Sequence, residues 1–291
     1  MKVAPFRYHR PSTLSEALDL LEDLGDTAKV LAGGQSLLPM MAYRLVTPTD
    51  LVDIGRVVEL RGWDLDDSGL RIHAMARQRQ VELDPDIGLR FPVLHHALEK
   101  VAHVQIRNRG TVCGSLAHAD SAAELPALMV ALGSTFVVAS AKRRRHLAAA
   151  DFFKFHFTTA VEAGELLTDV IVPDPGPGHH AAFMEVSRRR GDFAIVGAAV
   201  VVKMSEGRVR TARVVCSGVA PTPFLVTSAA EAVVGSDLGD AALLDAQYAT
   251  SRSVDPPDDF HATGDYRRQL AGVLVRRCFK QIRGDQGANI A

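Results

Sequence analysis

Cysteine is scarce in this sequence, and the scarcity is the first constraint on what the chain can do. Three cysteines, Cys113, Cys216 and Cys278, lie far apart along 291 residues. An odd, unclustered set gives no disulfide framework and no C-x-x-C motif. It is also too few for a four-cysteine iron–sulfur cluster held by this chain alone. Charge of one sign is missing as well: 33 Lys and Arg stand against 34 Asp and Glu. No whole-chain field therefore points to nucleic acid or to an anionic membrane. Long apolar runs are absent. The longest, such as FAIVGAAVVV (193–202), reach half of the roughly 20 residues that a membrane span needs. The opening MKVAPFRYHRP lacks the apolar segment of a signal peptide. These absences lead us to expect a soluble, cytoplasmic protein.

Hydrophobic residues make up 47% of the chain and charged residues 23%, a globular balance with length for two or three domains. In STLSEALDLLEDLG, Thr13 and Glu16 stand in capping-box spacing. Leu14, Ala17, Leu18, Leu21 and Leu24 recur at helical intervals, and Gly25 closes the helix. AKVLAGG reads as a strand running into a tight turn, SLLPMMAYRL as a helical turn that Pro39 interrupts or begins, and TDLVDIG as another strand. These form a small α/β unit, residues 1–55. A second unit, 56–176, starts with the hairpin ELRGWDLDDSGLRIHAMA, turning at DDSG. FPVLHHALEKVA and SAAELPALMVALG read as helices. The second should start nearer Leu125 than the Ser121–Glu124 capping-box spacing suggests, because Pro126 would delete a helical hydrogen bond. STFVVAS and ELLTDVIVP read as strands. PDPGPGHH (173–180) is a linker. In the third unit, 177–291, HAAFMEVS, FAIVGAAVVVKM and RVRTARVVCSGVA form an antiparallel meander with SEGR as one turn. The helices TSAAEAVVG and GDYRRQLAGVLVRRCFKQI follow, and Leu270, Val273, Leu274 and Phe279 supply much of the last helix's apolar face.

Two glycine-rich turns could carry chemistry. In AGGQS (32–36) the glycines let backbone approach a ligand closely, and successive amides form an anion-binding concavity. Ser36 could cap the following helix. A pyrophosphate suits such a turn; on composition alone, an ordinary strand–helix turn fits equally. In RNRGTVCGSLAHAD (107–120), Gly110, Thr111, Gly114 and Ser115 place two glycines, two hydroxyls and several amides in six residues. Asp120 could accept a ribose hydroxyl or cap the next helix. Two such turns in separate units suit the two ends of a dinucleotide in a cleft. Neither is a Rossmann fingerprint, since no G-x-G-x-x-G follows a strand, and no Gly-Lys-Ser/Thr of a P-loop occurs.

Taken together, KVLAGGQSLLPMM and IRNRGTVCGSLAHADSAAELP resemble the FAD-binding medium subunit of the molybdenum hydroxylases, the xanthine dehydrogenase and aerobic carbon monoxide dehydrogenase family. The resemblance extends through PFRYHRPSTLSEAL, GELLTDVIVP, RRRGDFAIVGAAV and DYRRQLAGVLVRRC, and so spans the chain. It implies an α+β architecture: a two-subdomain vanillyl-alcohol-oxidase-type FAD-binding fold, then a C-terminal α+β domain with an antiparallel sheet and helices. It implies that Ala32, Gly33, Gly34, Gln35 and Ser36 wrap the pyrophosphate from the first subdomain, and Thr111, Gly114 and Ser115 from the second. Asp120 would hold ribityl or ribose hydroxyls. Lys29 and Val30 would lie near the ligand, Leu167 against the flavin ring, and Phe193 near the isoalloxazine. Leu37, Ile106, Gly110 and Ala117 complete the expected FAD-binding set. Many members have Gly-Gly where this chain has Cys113-Gly114; free cysteine ordinarily behaves as a small hydrophobe.

In this family a molybdenum site oxidises substrate, and [2Fe–2S] clusters relay electrons to FAD. This chain has neither molybdopterin-binding length nor the roughly eight cysteines that two clusters need. The resemblance therefore implies FAD on this chain and molybdopterin and [2Fe–2S] clusters on a large and a small partner subunit, in a dimer of heterotrimers. Its function would be electron transfer to an external acceptor, with no catalytic acid or base. Two rivals stand beside it: a stand-alone FAD-dependent oxidoreductase of the same fold, and a nucleotide-binding regulatory module. KRRRH (142–146) reads as a solvated loop or subunit contact and RRR (188–190) as a surface cluster. The pairs His95–His96 and His179–His180 are adjacent residues, which do not share a helical face, so metal binding is not expected.

Overall fold

A buried aspartate organises the start of the chain. In the computed structural model, which describes residues 2–288, strands β1 (Arg7–His9), β2 (Ala28–Leu31) and β3 (Asp50–Asp53) form a parallel sheet in the order β1–β3–β2. Residue 1 and residues 289–291 of the first and third expected units lie outside the described residues. Asp50 accepts two bonds from the Arg7 guanidinium, both 2.7 Å, and lies 2.8 Å from Nε2 of His9. Arg7, then His9, hold its carboxyl far below the usual range against the opposing effect of burial. The ion pair sets the register Arg7↔Asp50 and keeps in the sheet a three-residue strand that no apolar pattern announces.

Helix α1 (Leu14–Leu24) behaves as its sequence requires. Thr13 Oγ1 accepts the Glu16 N–H, while Glu16 accepts the Ser12 N–H, one residue before the standard box. Ala17, Leu18 and Leu21 are buried. In α2 (Leu37–Ala42) Pro39 sits in the first turn, where its missing N–H costs nothing.

The second sheet runs β4–β5–β10–β6–β7, antiparallel throughout: β4 (Trp63–Asp66), β5 (Gly69–His73), β6 (Thr135–Ala139), β7 (Arg144–Ala148) and β10 (Leu166–Pro173). A small hairpin, β8 (Phe153–Phe155) with β9 (Thr158–Thr159), lies beside it. Strand β7 corrects the loop expected at KRRRH. Arg144–His146 pair with β6, and the half-buried Arg145 holds Glu165 bidentately and donates to the Ala160 carbonyl at 2.8 Å. Between these strands lie α3 (Gln78–Leu83), α4 (Pro85–Arg90), α5 (Pro92–Lys100), α6 (Val104–Arg107), α7 (Val112–His118), α8 (Glu124–Leu132) and α9 (Ala149–Phe152). Helix α8 starts one residue before Leu125. Pro126 is tolerated in its first turn, and the Ser121–Glu124 box is not made.

The third sheet, β11 (His179–Val186), β12 (Val196–Ser205), β13 (Arg208–Ser217) and β14 (Phe224–Leu225), is antiparallel in that order. Its two faces enter different cores. Ala182, Val200 and Val214 pair across the strands and pack with α12 (Gly264–Ala288) and α10 (Thr227–Glu231). Their neighbours Phe183, Ala199 and Val215 face the other way, into the core that contains α8. A strand covered on both faces reads as a continuous apolar run, which is why GAAVVV shows no alternation. Helix α8, apolar all round, lies between the second and third sheets for the same reason. On α12 the buried face is Ala271, Leu274, Val275, Cys278, Phe279 and Ile282; Val273, expected there, lies off it, because helical spacing from Leu274 and Phe279 selects Val275 instead. The 14-residue helix α11 (Asp240–Ser253), unmarked in the sequence, packs against α12.

Two carboxyls, Glu124 of α8 and Glu185 of β11, hold their protons to unusually high pH. Burial, and then the like charge of Glu185, raise the Glu124 carboxyl to about 8. Burial raises Glu185 to about 7 against the opposing charge of Lys100, and Glu185 Oε2 is buried without a partner among the described residues. Between about 4.5 and about 8 the unfolded chain gives up protons that the folded chain keeps. Stability from this pair is therefore complete below about 4.5 and is lost as pH rises to about 8. Glu124→Gln should flatten that fall, leaving the variant with the higher melting temperature at about pH 8 and near-equal stability below about 4.5, read from thermal melts across the range.

Candidate functional site

The two glycine turns touch, and they touch through backbone. Strand β2 ends at Leu31, and the chain turns through Ala32–Ser36 into α2. A Cβ on Gly33 would stand 2.4 Å from the Arg109 carbonyl oxygen and 2.8 Å from Gly110 Cα. No L side chain fits there without moving one turn off the other. Gly34 has φ +73°, a left-handed conformation that favours glycine, and faces the Leu31 and Leu38 side chains. The Gln35 side chain donates to the Gly33 carbonyl at 3.1 Å, and the Leu38 N–H donates to that of Gly34 at 3.1 Å. Among the described residues, the N–H groups of Gly33, Gly34, Gln35 and Ser36 find no protein acceptor. The expected Ser36 cap is not made: Ser36 is already helical (φ −103°, ψ −48°), so its hydroxyl does not turn back onto α2.

The second turn is built on α6. The Ile106 carbonyl accepts the N–H groups of Gly110 at 2.6 Å and Arg109 at 3.1 Å. Thr111 caps α7, its Oγ1 accepting the Gly114 N–H at 3.0 Å. That bond takes one of the amides expected to be free, whereas the N–H groups of Thr111 and Cys113 have no acceptor among the described residues. A Cβ on Gly114 would lie 4.0 Å from Ala32 Cβ, so α7 too abuts the first turn. Ser115 is half-buried and Ala117 exposed. Ala119 ends α7 in the left-handed region, and Asp120 follows, its Oδ1 accepting the Ala122 N–H at 2.9 Å.

Four residues outside the glycine pattern hold this turn. Arg107, buried, donates to Glu82 at 2.7 and 3.1 Å and to the carbonyls of Val101 and Ala102 at 2.8 and 3.1 Å. Burial would raise the Glu82 carboxyl, but Arg107 overcomes it and holds the group below its usual range. Arg77 donates a short bond to the Arg109 carbonyl, and the Gln78 N–H donates to that of Gly110 at 2.9 Å. The Gln78 side chain packs behind Gly110 with its Oε1 buried and unpartnered. The available sequence signal was Gln78 and Glu82 placed one turn apart, on the face that Val81 buries.

The other expected residues divide. Lys29 is exposed on β2 and Val30 half-buried beside the turn; Leu37 opens α2. Asp120 and Phe193 line one cavity of about 620 Å³ between the second sheet's unit and the third sheet. Leu167 pairs with Val138 in the second sheet and is 4% exposed, within the main core. The structure thus joins residues 32–36 to residues 110–114, sets Asp120 and Phe193 along one cavity, and leaves Leu167 with little surface. Arg188–Arg190 are exposed. Among the described residues no three His, Cys, Asp or Glu side chains gather as metal ligands.

Unpaired amides on two turns in contact, with no room for a side chain between them, fit the diphosphate of a dinucleotide. The two turns follow neither the Rossmann nor the P-loop pattern. Comparisons with known proteins make the class specific. Residues 4–175 match the family described as FAD binding domain in molybdopterin dehydrogenase, and residues 181–282 the CO dehydrogenase flavoprotein C-terminal domain. The chain is 38% identical to the 6-hydroxypseudooxynicotine dehydrogenase complex subunit alpha of Paenarthrobacter nicotinovorans, over 95% of this chain and 94% of that one. It is 35% identical to the carbon monoxide dehydrogenase medium chain of Afipia carboxidovorans, over 96% of each. The carbon monoxide dehydrogenase from Hydrogenophaga pseudoflava that lacks the Mo-pyranopterin moiety of its cofactor has a chain of the same fold, with TM-score 0.94 at 36% identity, covering 97% of this chain and 98% of that one. The chain belongs to the family of FAD-binding subunits of molybdopterin dehydrogenases. It carries the FAD-binding domain followed by the C-terminal domain of that family, and it is a component of an oxidoreductase.

Gly33→Ala should cost FAD affinity at least about tenfold, on the order of 1.4 kcal/mol, because the methyl group meets rigid backbone. Gly34→Ala should cost about 1 kcal/mol of stability and less affinity, because its neighbours are leucine side chains that can shift. FAD titration followed by fluorescence, with thermal melts of each variant, separates the two effects. The buried Cys113 thiol, pushed up by burial, donates only to the Ile72 carbonyl at 3.6 Å. Cys113→Ala should therefore keep full FAD content and lose about 1–2 kcal/mol of stability; loss of flavin would assign the thiol a role at the cofactor.

Proposed function

We propose that this chain is the flavoprotein subunit of a multi-subunit molybdenum hydroxylase. It passes electrons from the [2Fe–2S] clusters of a small partner subunit to an external acceptor, with molybdopterin on a large subunit and the whole assembled as a dimer of heterotrimers. The observation that carries the reading is the backbone contact of Gly33 with Arg109 and Gly110, with free amides on both sides. On this reading the chain divides into residues 1–55 and 56–176, which hold the cofactor, and 177–291.

Bound FAD supplies the redox chemistry. The chain's own residues bind and orient. Amides of Gly33, Gly34, Gln35 and Ser36 donate to the diphosphate from one side. The Thr111 amide and the Thr111 and Ser115 hydroxyls donate from the other. Asp120, its Oδ1 held by Ala122, presents its remaining oxygen to a sugar hydroxyl. Phe193 borders the cavity that would receive the ring system. The family membership supports this assignment, and the absence of four clustered cysteines in the chain fits clusters carried elsewhere.

Expressed alone and together with a large molybdopterin chain and a small iron–sulfur chain from the same gene cluster, the protein should purify yellow, with a flavin spectrum and FAD released on denaturation. Mixed with reduced small subunit under anaerobic conditions, its flavin bands should bleach. A colourless protein in both preparations would sink the reading; a yellow protein that bleaches only with its own small-molecule substrate would favour a stand-alone oxidoreductase.

A further inference from the structure

The loop that carries Phe193 is held by one guanidinium. Arg267, in the first turn of α12, is 7% exposed. Its Nη1 donates to the Ile195 carbonyl at 2.5 Å and to that of Gly218 at 3.1 Å, and its Nη2 to Asp259 Oδ2 at 2.6 Å. Asp259 is itself fixed, its Oδ1 accepting the N–H groups of His261 at 2.8 Å and Ala262 at 2.9 Å. Each carbonyl leads to the site. Ile195 is two residues beyond Phe193, and the Gly218 N–H donates to the Ser121 carbonyl at 2.8 Å, next to Asp120. At the far end of the loop Gly191 lies close against His103 and Ala102, where a Cβ would stand 2.6 Å from the His103 ring and 3.2 Å from the Ala102 carbonyl carbon. Between these two points Phe193 is 63% exposed and lines the cavity that Asp120, Ser121 and Arg267 also line.

We propose that Arg267 is a positioning residue of the flavin site: it fixes the 191–195 loop to the Asp120–Ser121 turn and so sets where Phe193 stands over the cofactor. The proposal rests on the reading that Phe193 borders the flavin ring. A planar fork that serves two carbonyls and a carboxylate at once cannot be reproduced by the single ammonium of lysine. Among the described residues no hydrogen bond joins Arg267 to the turns at 32–36 and 110–115, so cofactor content and ring placement separate experimentally.

The test compares the full-length wild type with Arg267→Gln, Arg267→Lys, Phe193→Ala and the Arg267→Gln/Phe193→Ala double variant, each with and without FAD. Arg267→Gln should retain FAD, expose the bound flavin to iodide quenching several-fold more than wild type, and speed tryptic cleavage at Arg188–Arg190 several-fold whether or not FAD is present. Arg267→Lys should fall between. Phe193→Ala should raise iodide quenching to the same extent, and in that background Arg267→Gln should add nothing to it. Wild-type quenching in Arg267→Gln, or quenching effects that add in the double variant, would overturn the proposal. If Arg267→Gln does not fold, Asp259→Asn, which releases one arm of the fork, is read on the same two measurements with the same expectations. If the wild type takes up no FAD either alone or assembled with its large and small partner chains, the proposed function fails, and unchanged tryptic cleavage would then overturn the role of Arg267 independently.

Discussion

The approach of one backbone turn to another at Gly33 and Gly110 is the constraint on which the site depends. The first turn leaves strand β2 and the second leaves helix α6, and the sheets of the two units do not hydrogen-bond to each other. The two are brought into register by contact alone: the Gly33 position sees the Arg109 carbonyl, and Gly114 stands beside Ala32. Contact of this kind tolerates no drift, because a displaced turn would either clash or open a gap that forfeits close packing. It explains the polar investment behind the second turn. Arg107 spans Glu82 and two carbonyls, Arg77 reaches the Arg109 carbonyl, and Gln78 backs Gly110. A buried ion pair of this kind adds little net stability, since desolvation offsets most of the attraction. What it does add is direction: the turn can leave α6 in one way.

The third sheet gives that arrangement a rigid back. Because its residues alternate between two cores, Phe183, Ala199 and Val215 are part of the same apolar cluster as α1, α5 and α8, while Ala182, Val200 and Val214 belong with α12. The unit that begins at β11 cannot swing away without exposing α8, which is buried around its whole circumference. Phe193 and Arg267 belong to this unit, Asp120 and the glycine turns to the others. The cavity between them therefore keeps its walls at fixed separation.

Much of this was legible in the sequence where local chemistry decides structure. The cap at Thr13, the DDSG hairpin, the meander and both glycine turns follow from residue types at fixed spacing. The failures share a cause. Strand β1 exists because Arg7 finds Asp50, 43 residues away. Strand β7 exists because β6 offers it an edge, and its charged residues alternate between solvent and Glu165. Helix α11 buries only Leu243, Ala246 and Thr250 and has no side-chain cap, so neither its periodicity nor its ends stand out. In the site, the glycines were visible, whereas Arg77, Gln78 and Glu82 support the second turn through long-range contacts to Arg107, Arg109 and Gly110 that their own local spacing only hints at.

The departure at Cys113 sharpens what the glycine pattern encodes. Residues 113 and 114 are consecutive in α7, so their side chains leave the helix about 100° apart. Position 113 points into the main core, where the thiol packs and reaches the Ile72 carbonyl of β5. Position 114 points toward Thr111 Oγ1, which a Cβ would approach to 2.6 Å while that oxygen is accepting the Gly114 N–H. A side chain at 114 would thus require the Thr111 hydroxyl to shift from its present position, while Ala32 would stay at ordinary contact distance. At 113 the same addition fills space. Glycine is required at 33, where one backbone turn meets another; at 114 the tight neighbour is a side-chain hydroxyl, and at 113 a thiol is accommodated in the core.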